Sequence, residues 1–570
     1  MTSLTTTLAK KAFWLLILLL SVAFPAAAGQ MGTVGGYPPD VALRLGAAMY
    51  RNGVLPSGKP LTATVQGDIE LTGTMSTCTN CHLRSGLGAY EGGVLSPPTN
   101  GARLYAPIKD LHDIPGSAMK RSMFKRGRPA YSKETLARVL LTGVDAGGRR
   151  LSETMPRYVL SEGEMEIMIF YLEHLSSELS PGVTQDEIRL ATVVTDKTTP
   201  KERDALLLPL NAFISDEWNA RLPALKSQQG GSLSPAAPRP PAPGYRKLAL
   251  DVWELKGAPE SWSSQLEALY RKKPVFAFLG GVAPGSWAPL HDFCEKNEIP
   301  CILPVTDLPV ISDKQWYTLY FSKGYYQEGE TAAKYLSRVF ALPPGKTVVQ
   351  VYRGSDEAKA LARGFADGWK KLGAAALVDL PVAGGEKIAP RFWEELVSSH
   401  PDAVLLLWLN PSDLAGIGTL AAGAKKPSTI FVSSSMLAGK FTALPDSVRD
   451  LTLITYPTRL PDDGEYARTV AASWLKYRKI PASVDPDVAF KSYLVTRMLS
   501  RVLVDMGGNL YRDFFLDLFD DGKDETNTSV LYPKLSFGPG QRYASKGCYV
   551  VTLTKGDNAR VVRRSDWIVY

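Results

Sequence analysis

Cysteine and histidine are scarce in this chain, five of each in 570 residues. That frequency excludes a disulfide-dense scaffold. A structural zinc site normally draws on two ligand pairs, and no second C-x-x-C is present. Long apolar runs are also missing. After the first 28 residues no stretch of 18 apolar residues occurs, so nothing there reads as a stable membrane span. Charge of one sign is not in strong excess: 65 Lys and Arg face 57 Asp and Glu. Nucleic acid, which usually calls for a strongly basic face, is therefore not an expected partner. After residue 186 no triad, carboxylate pair or metal cluster stands out, and the chain is not expected to be an enzyme.

What is present is concentrated. Two of the five cysteines and one histidine fall in Cys78-Thr79-Asn80-Cys81-His82. This is C-x-x-C-H, the attachment pattern of c-type haem. Two thiols one short turn apart can add to the two vinyl groups of the macrocycle. The residue after the second thiol then lies under the ring and offers an axial nitrogen. Residues this rare fill those three positions by accident roughly 4 × 10⁻⁴ times in such a chain. A bare disulfide or half a zinc site is the competing reading. The expectation is one haem c per chain, held by Cys78 and Cys81, with His82 on the iron.

The N-terminus carries an address. Lys10 and Lys11 form a basic region, Ala12 to Phe24 an apolar one, and Ala26-Ala27-Ala28 a cleavage pattern before Gly29. Residues 1–28 read as a signal peptide and the mature protein as periplasmic, which suits haem attachment. Loss of Lys10 and Lys11 leaves a net charge of about +6, and two haem propionates lower it to about +4. With 45% hydrophobic and 21% charged residues the composition is that of a globular protein with a sizeable core. The length suggests three or four domains.

Around the haem motif, residues 38–180 read as helices joined by loops. Asp40 to Tyr50, Tyr131 to Thr142 and Glu162 to Leu175 carry apolar residues at helical spacing. The Gly- and Pro-rich stretch from Gly86 to Ala102 would wrap the ring edge. A second axial ligand is expected from Met155 in Thr154-Met155-Pro156-Arg157-Tyr158, where Pro156 stiffens the loop. The alternative is a Met155 that only packs in the pocket. His112 and His174 read as surface residues. Lys120, Arg121, Lys125, Arg126 and Arg128 place five positive charges in nine residues. They read as a solvated face or as a docking patch for an acidic redox partner. An N-terminal helix, C-x-x-C-H, Met-Pro-x-Tyr and a closing helix together resemble a class I monohaem cytochrome c. The resemblance spans about 140 residues and implies an all-α domain with His82 and Met155 as axial ligands.

After Pro181 strands alternate with helices. Strands are expected at Ile188 to Thr195, Lys247 to Trp253, Val275 to Leu279, Cys301 to Pro304, Thr347 to Tyr352, Ala403 to Leu409 and Ile430 to Ser433. The alternation implies parallel sheets covered on both faces, and residues 186–570 are too long for one such core, so two lobes are expected. Residues 226–244, rich in Pro, Gly and Ser, read as a disordered insertion. Leu279-Gly280-Gly281 after a strand, the segment Phe321 to Leu336 and the strand–helix pair from Thr347 resemble a type I periplasmic binding protein of the branched-chain amino acid receptor kind. That resemblance implies two α/β lobes, a hinge and a small solute between them. Gly280, Gly281, Ser286 and Asp307 are the candidate solute contacts. The segment after Gly281 lacks the Ser/Thr cluster expected for an α-amino-acid carboxylate. Gly345-Lys346-Thr347 imitates a phosphate loop, but Phe340 stands where the first glycine belongs and a strand follows. His291 and His400 read as surface residues.

The expected function is an exported single-electron carrier fused to a solute-binding module, its redox partner a periplasmic dehydrogenase or a terminal acceptor. The alternative is a solute receptor whose haem senses or gates redox state. Cys294 and Cys301, with six residues between them, allow a disulfide in an oxidising compartment, two separate buried thiols, or pairing of one with Cys548.

Overall fold

The computed structural model describes residues 32–91, 94–108, 127–223, 245–340, 342–343, 345–373, 377–384, 387–520, 529–538 and 540–569. The expected signal peptide, the insertion at 226–244, His112 and the charges at Lys120, Arg121, Lys125 and Arg126 lie outside them. The chain forms two compact units, divided between Glu178 and Leu179.

The first unit opens with helix α1 (Pro39–Asn52). Proline at its first position needs no hydrogen-bond partner, and Gly53 ends it in the left-handed region at φ 65. Strands β1 (Thr62–Val65) and β2 (Ile69–Thr72) follow, then the single turn α2 (Thr79–His82). A hairpin, β3 (Ala89–Glu91) and β4 (Val94–Ser96), precedes α3 (Lys133–Thr142), β5 (Arg157–Tyr158) and α4 (Glu162–His174). Helix α1 crosses α4 at Gly46, where a Cβ would sit 2.4 Å from that of Tyr171, so only glycine permits the approach. Leu136, Val139 and Leu140 of α3 and Ile167, Met168 and Leu172 of α4 share the apolar core. Each such side chain contributes about 1.5–3 kcal/mol on burial.

The all-α expectation needs correction here. Strands β2, β1 and β5 form an antiparallel sheet. The β-branched run Thr62 to Val65 turns back through Gln66 and Gly67, both at positive φ, which suits a tight hairpin.

The second unit has two sheets. Strands β6 (Glu187–Thr195), β7 (Lys247–Leu255), β8 (Ala277–Leu279), β9 (Cys301–Ile302) and β10 (Thr318–Leu319) form a parallel sheet in the order β10-β9-β8-β6-β7. Its helices are α5 (Pro200–Ala212), α6 (Trp262–Lys272) and α7 (Ala288–Lys296). The chain then enters a second lobe through α8 (Tyr325–Arg338), β11 (Val348–Arg353), α9 (Asp356–Lys371), β12 (Leu377–Val382), α10 (Pro390–Ser399), β13 (Val404–Trp408), β14 (Thr429–Ser433) and β15 (Thr452–Tyr456). Alternate residues of these strands enter two cores: Leu405, Leu407, Ile430 and Val432 on one face, Val404, Leu406, Trp408 and Phe431 on the other. Both faces are buried, as a parallel sheet demands.

Helices α11 (Glu465–Tyr477), α12 (Pro486–Met506) and α13 (Arg512–Phe519) return to the first lobe, where α12 packs on α5. Tyr543 pairs with Tyr320 beside β10 before β16 (Gly547–Leu553) rejoins the second sheet. The chain thus passes between the lobes three times. Strand β16 runs antiparallel to β15, and β17 (Val561–Arg563) and β18 (Ile568–Val569) run antiparallel to β16. This corrects the expectation of purely parallel sheets: β16 arrives directly from the other lobe, and β17 follows by a short loop that needs no crossover helix.

Cys294 and Cys301 are free, fully buried thiols. Burial and the neighbouring Cys301 thiol hold Cys294 well above the ordinary thiol range. Cys548 is a buried free thiol as well. His291 is buried, contrary to the surface expectation, and its Nδ1 lies 3.0 Å from the Tyr320 hydroxyl. Among the described residues no helix is long and apolar enough to cross a membrane.

Candidate functional site

In the first unit the C-x-x-C-H segment is held from both ends. Ser76 Oγ donates to the Leu61 carbonyl at 2.8 Å, and Asn80 Nδ2 to the Thr74 carbonyl at 2.9 Å. One helical turn brings the His82 N–H to the Cys78 carbonyl at 2.8 Å. Leu83 then takes the left-handed region at φ 63, and the Tyr50 hydroxyl donates to its carbonyl at 2.9 Å. A non-glycine residue there is uncommon and is held by its surroundings.

His82 is aligned by one bond. Its Nδ1 lies 2.7 Å from the Pro97 carbonyl. A carbonyl only accepts, so the proton is on Nδ1 and Nε2 keeps its lone pair. Burial lowers the imidazole below its ordinary range, against the Pro97 bond, which favours the neutral ligand form. Metal-bound histidines commonly have such a partner on the other nitrogen. Pro97 was not singled out from sequence; it lies in the Gly- and Pro-rich stretch expected to wrap the site.

Cys78, Cys81, His82 and Met155 line one cavity of about 870 Å³, part of it open to solvent. An adjoining cavity of about 600 Å³ shares His82, Pro97, Leu140, Met155 and Leu172. Cys78 is buried and Cys81 exposed. Burial pushes the Cys78 thiol up to about 11, and the Tyr158 hydroxyl lies 3.6 Å from it. Met155 is half-buried against the core. The wall between them is Leu140, Leu151, Pro156 and Leu172. Two thiols, a neutral imidazole nitrogen and a thioether around an apolar space form a donor set that fits a haem.

Arg128 departs from expectation. It is buried and donates to the carbonyls of Arg103, Leu104, Ala106 and Pro129 at 2.7–3.3 Å. It therefore belongs to the wall of the second cavity, not to an exposed basic patch.

In the second unit ligands are expected beyond the C-terminal ends of parallel strands. Gly280 and Gly281 follow β8, and Asp307 follows β9, so three of the four sequence candidates share that edge. The Val305 N–H donates to the Gly281 carbonyl, tying the two loops together. The glycines serve the turn itself: both have positive φ, and a Cβ on Gly281 would come within 2.8 Å of Trp287. The N–H groups of Gly280 and Val282 are spent on Ile302 and Val193. Ser286 accepts from the Ala288 N–H at the start of α7. Asp307 is exposed and lies 3.9 Å from Lys491.

Two neighbours of this edge were missed from sequence. Lys491 on α12 keeps its proton: burial opposes the charge, but Tyr532, Asp307 and Asp487 hold it above the ordinary range. Glu328 on α8 is fully buried, with the Thr455 hydroxyl donating to it at 2.7 Å. Burial raises its carboxyl to about 7, against hydrogen bonds from Ser435, Thr455 and Ser433. Its place on a helical face was no signal, because its partners lie more than 100 residues away. The phosphate-loop imitation is inert: Lys346 pairs with Asp402.

A sequence model of the periplasmic binding protein family matches residues 244–558. The chain belongs to that family. Solved structures similar to it include three solute-binding proteins of ABC transporters. One, from Sphaerobacter thermophilus, is 14% identical, with 67% of this chain and 98% of that one covered and a TM-score of 0.46. A fatty acid transporter's substrate-binding protein from Thermomonospora curvata is 16% identical, covering 69% and 95%, with a TM-score of 0.43. A branched-chain amino acid transporter's binding protein from Streptococcus pneumoniae, solved with isoleucine, is 15% identical, covering 66% and 100%, with a TM-score of 0.41. No curated protein matches the chain. The two-lobed α/β architecture and a solute-binding module are thus features of the chain, and its relatives are binding proteins, not enzymes.

Proposed function

We propose that this periplasmic binding protein relative is an exported c-type cytochrome, one covalent haem in its first unit and a small-solute-binding module in its second. The observation that supports this most is the meeting of Cys78, Cys81, His82 and Met155 on one apolar cavity, with His82 Nδ1 committed to Pro97. Cys78 and Cys81 would hold the ring as thioethers. His82 would offer Nε2 and Met155 its sulfur to the iron, and Leu140, Leu151 and Leu172 line the cavity with apolar surface. A bound haem supplies one-electron exchange. The redox partner is a periplasmic dehydrogenase or a terminal acceptor. Met155→His tests the assignment of the second ligand. The oxidised wild type is expected to show a sulfur-to-iron charge-transfer band, and the variant to lose it and to have a lower potential. Absence of the band from the wild type at neutral pH refutes Met155 as ligand.

The match over residues 244–558 supports a second reading, a solute receptor whose haem reports or gates redox state. Titration of the potential with and without candidate solutes separates the two: a solute-dependent potential favours the receptor, indifference the carrier.

A further inference from the structure

On the haem reading given above, we propose that Arg157 is the positioning residue that holds the Met155 sulfur on the iron. Met155 lies in an irregular segment, where no helix or sheet ladder fixes it. A single guanidinium spans that segment. Arg157 Nη1 donates to the Met155 carbonyl at 2.5 Å, and Nη2 to the carbonyls of Ser152 and Leu151 at 3.2 and 3.3 Å. Three carbonyls of one loop thus converge on one rigid, planar donor group, a geometry that lysine cannot reproduce.

Both ends of this staple are anchored. The backbone of Arg157 lies in β5, paired with Thr64 of β1, and Tyr158 pairs with Ala63. The guanidinium lies against Gly143, the residue that ends α3 at φ 73, where a Cβ would come 2.0 Å from Arg157 Cζ. The Leu151 N–H donates in turn to the Gly143 carbonyl at 2.8 Å. The loop is therefore clamped between the end of α3 and β5, and the Met155 N–H closes a turn onto Ser152 at 3.1 Å. An arginine serving only solubility would not lie half-buried with its donors turned to main-chain carbonyls.

The test uses the full chain, matured with haem, as wild type, Arg157→Gln and Arg157→Lys. Covalent haem per chain is read first in all three. Arg157→Gln is expected to keep its haem, because Cys78 and Cys81 are untouched. It is expected to lose the sulfur-to-iron band on warming at temperatures where far-UV circular dichroism still reports an intact fold. Imidazole, competing for the Met155 side, should bind about tenfold more tightly, the ratio that one lost charge-assisted hydrogen bond is worth. Arg157→Lys should fall between the two. An unchanged band and imidazole affinity in Arg157→Gln overturn the proposal, as does a band that disappears only together with the fold. If Arg157→Gln does not fold, Arg157→Lys is read by the same two criteria. A wild type without covalent haem overturns the haem reading itself and Arg157's role with it, a result distinct from a haem-bearing protein indifferent to Arg157.

Discussion

The two candidate sites are built in opposite ways. In the first unit two thiols and an imidazole stand within five consecutive residues, and the thioether comes from one short loop. In the second unit the candidate edge gathers the loops after β8 and β9, with Lys491 beside Asp307 from far along the chain and Glu328 bonded to Thr455 of β15. Covalent attachment to a rigid macrocycle demands fixed spacing, so it leaves a contiguous signature. A cleft between lobes needs only that distant side chains arrive together. The contrast explains why one site is named by residue and the other by region.

The contrast can be broken at its structural supports. Arg512 on α13 donates to the carbonyls of Val275, Phe276, Asn297 and Glu298 at 2.6–3.2 Å, and is buried. One side chain thereby ties two distant segments of the first lobe to α13. Arg512→Ala is expected to cost about 4 kcal/mol, because several buried carbonyls lose their donor at once. Urea unfolding measures it, and a loss below about 1 kcal/mol would show that the lobe does not depend on this junction.

Glu328 gives a smaller effect with a definite pH dependence. Its carboxyl is raised to about 7 in the fold from an ordinary value near 4.3 when unfolded. Between those values the folded state holds more protons than the unfolded one, so stability falls as pH rises through that window. Glu328→Gln keeps an acceptor for Thr455 and removes the buried charge. It should be more stable than wild type by about 3 kcal/mol at pH 8, with no advantage below pH 4. Equal stability curves at both pH values would contradict the burial argument.

The smallest effect is local. Ser132 caps α3, its hydroxyl accepting from the Thr135 N–H while the Thr135 hydroxyl accepts from the Ser132 N–H. Ser132→Ala should cost about 1 kcal/mol in thermal unfolding. It should leave the Arg512 and Glu328 effects unchanged, since those lie in the other unit.

The same contrast governs what the sequence revealed. Helices α1, α3 and α4 and the alternating strands of both lobes follow from local periodicity. The β1–β2 hairpin was missed although Gln66-Gly67-Asp68 between two β-branched runs is a turn signal, because the surrounding helical pattern dominated. His291 was read as exposed, since its hydroxyl partner Tyr320 is visible only after the sheet forms. Arg128 read as part of a charge run, yet its run of main-chain acceptors draws it inward. Arg157 stood beside Met155 in the motif, but its role needs the three carbonyls that only the folded loop brings within reach.

The most direct measurement is the count of covalently bound haem in the full chain after export and denaturation. With Cys78 and Cys81 intact, one haem per chain is expected to resist organic extraction. With both changed to alanine, none should remain. A wild-type chain that surrenders its haem on extraction, or carries none, would contradict the account of the first unit.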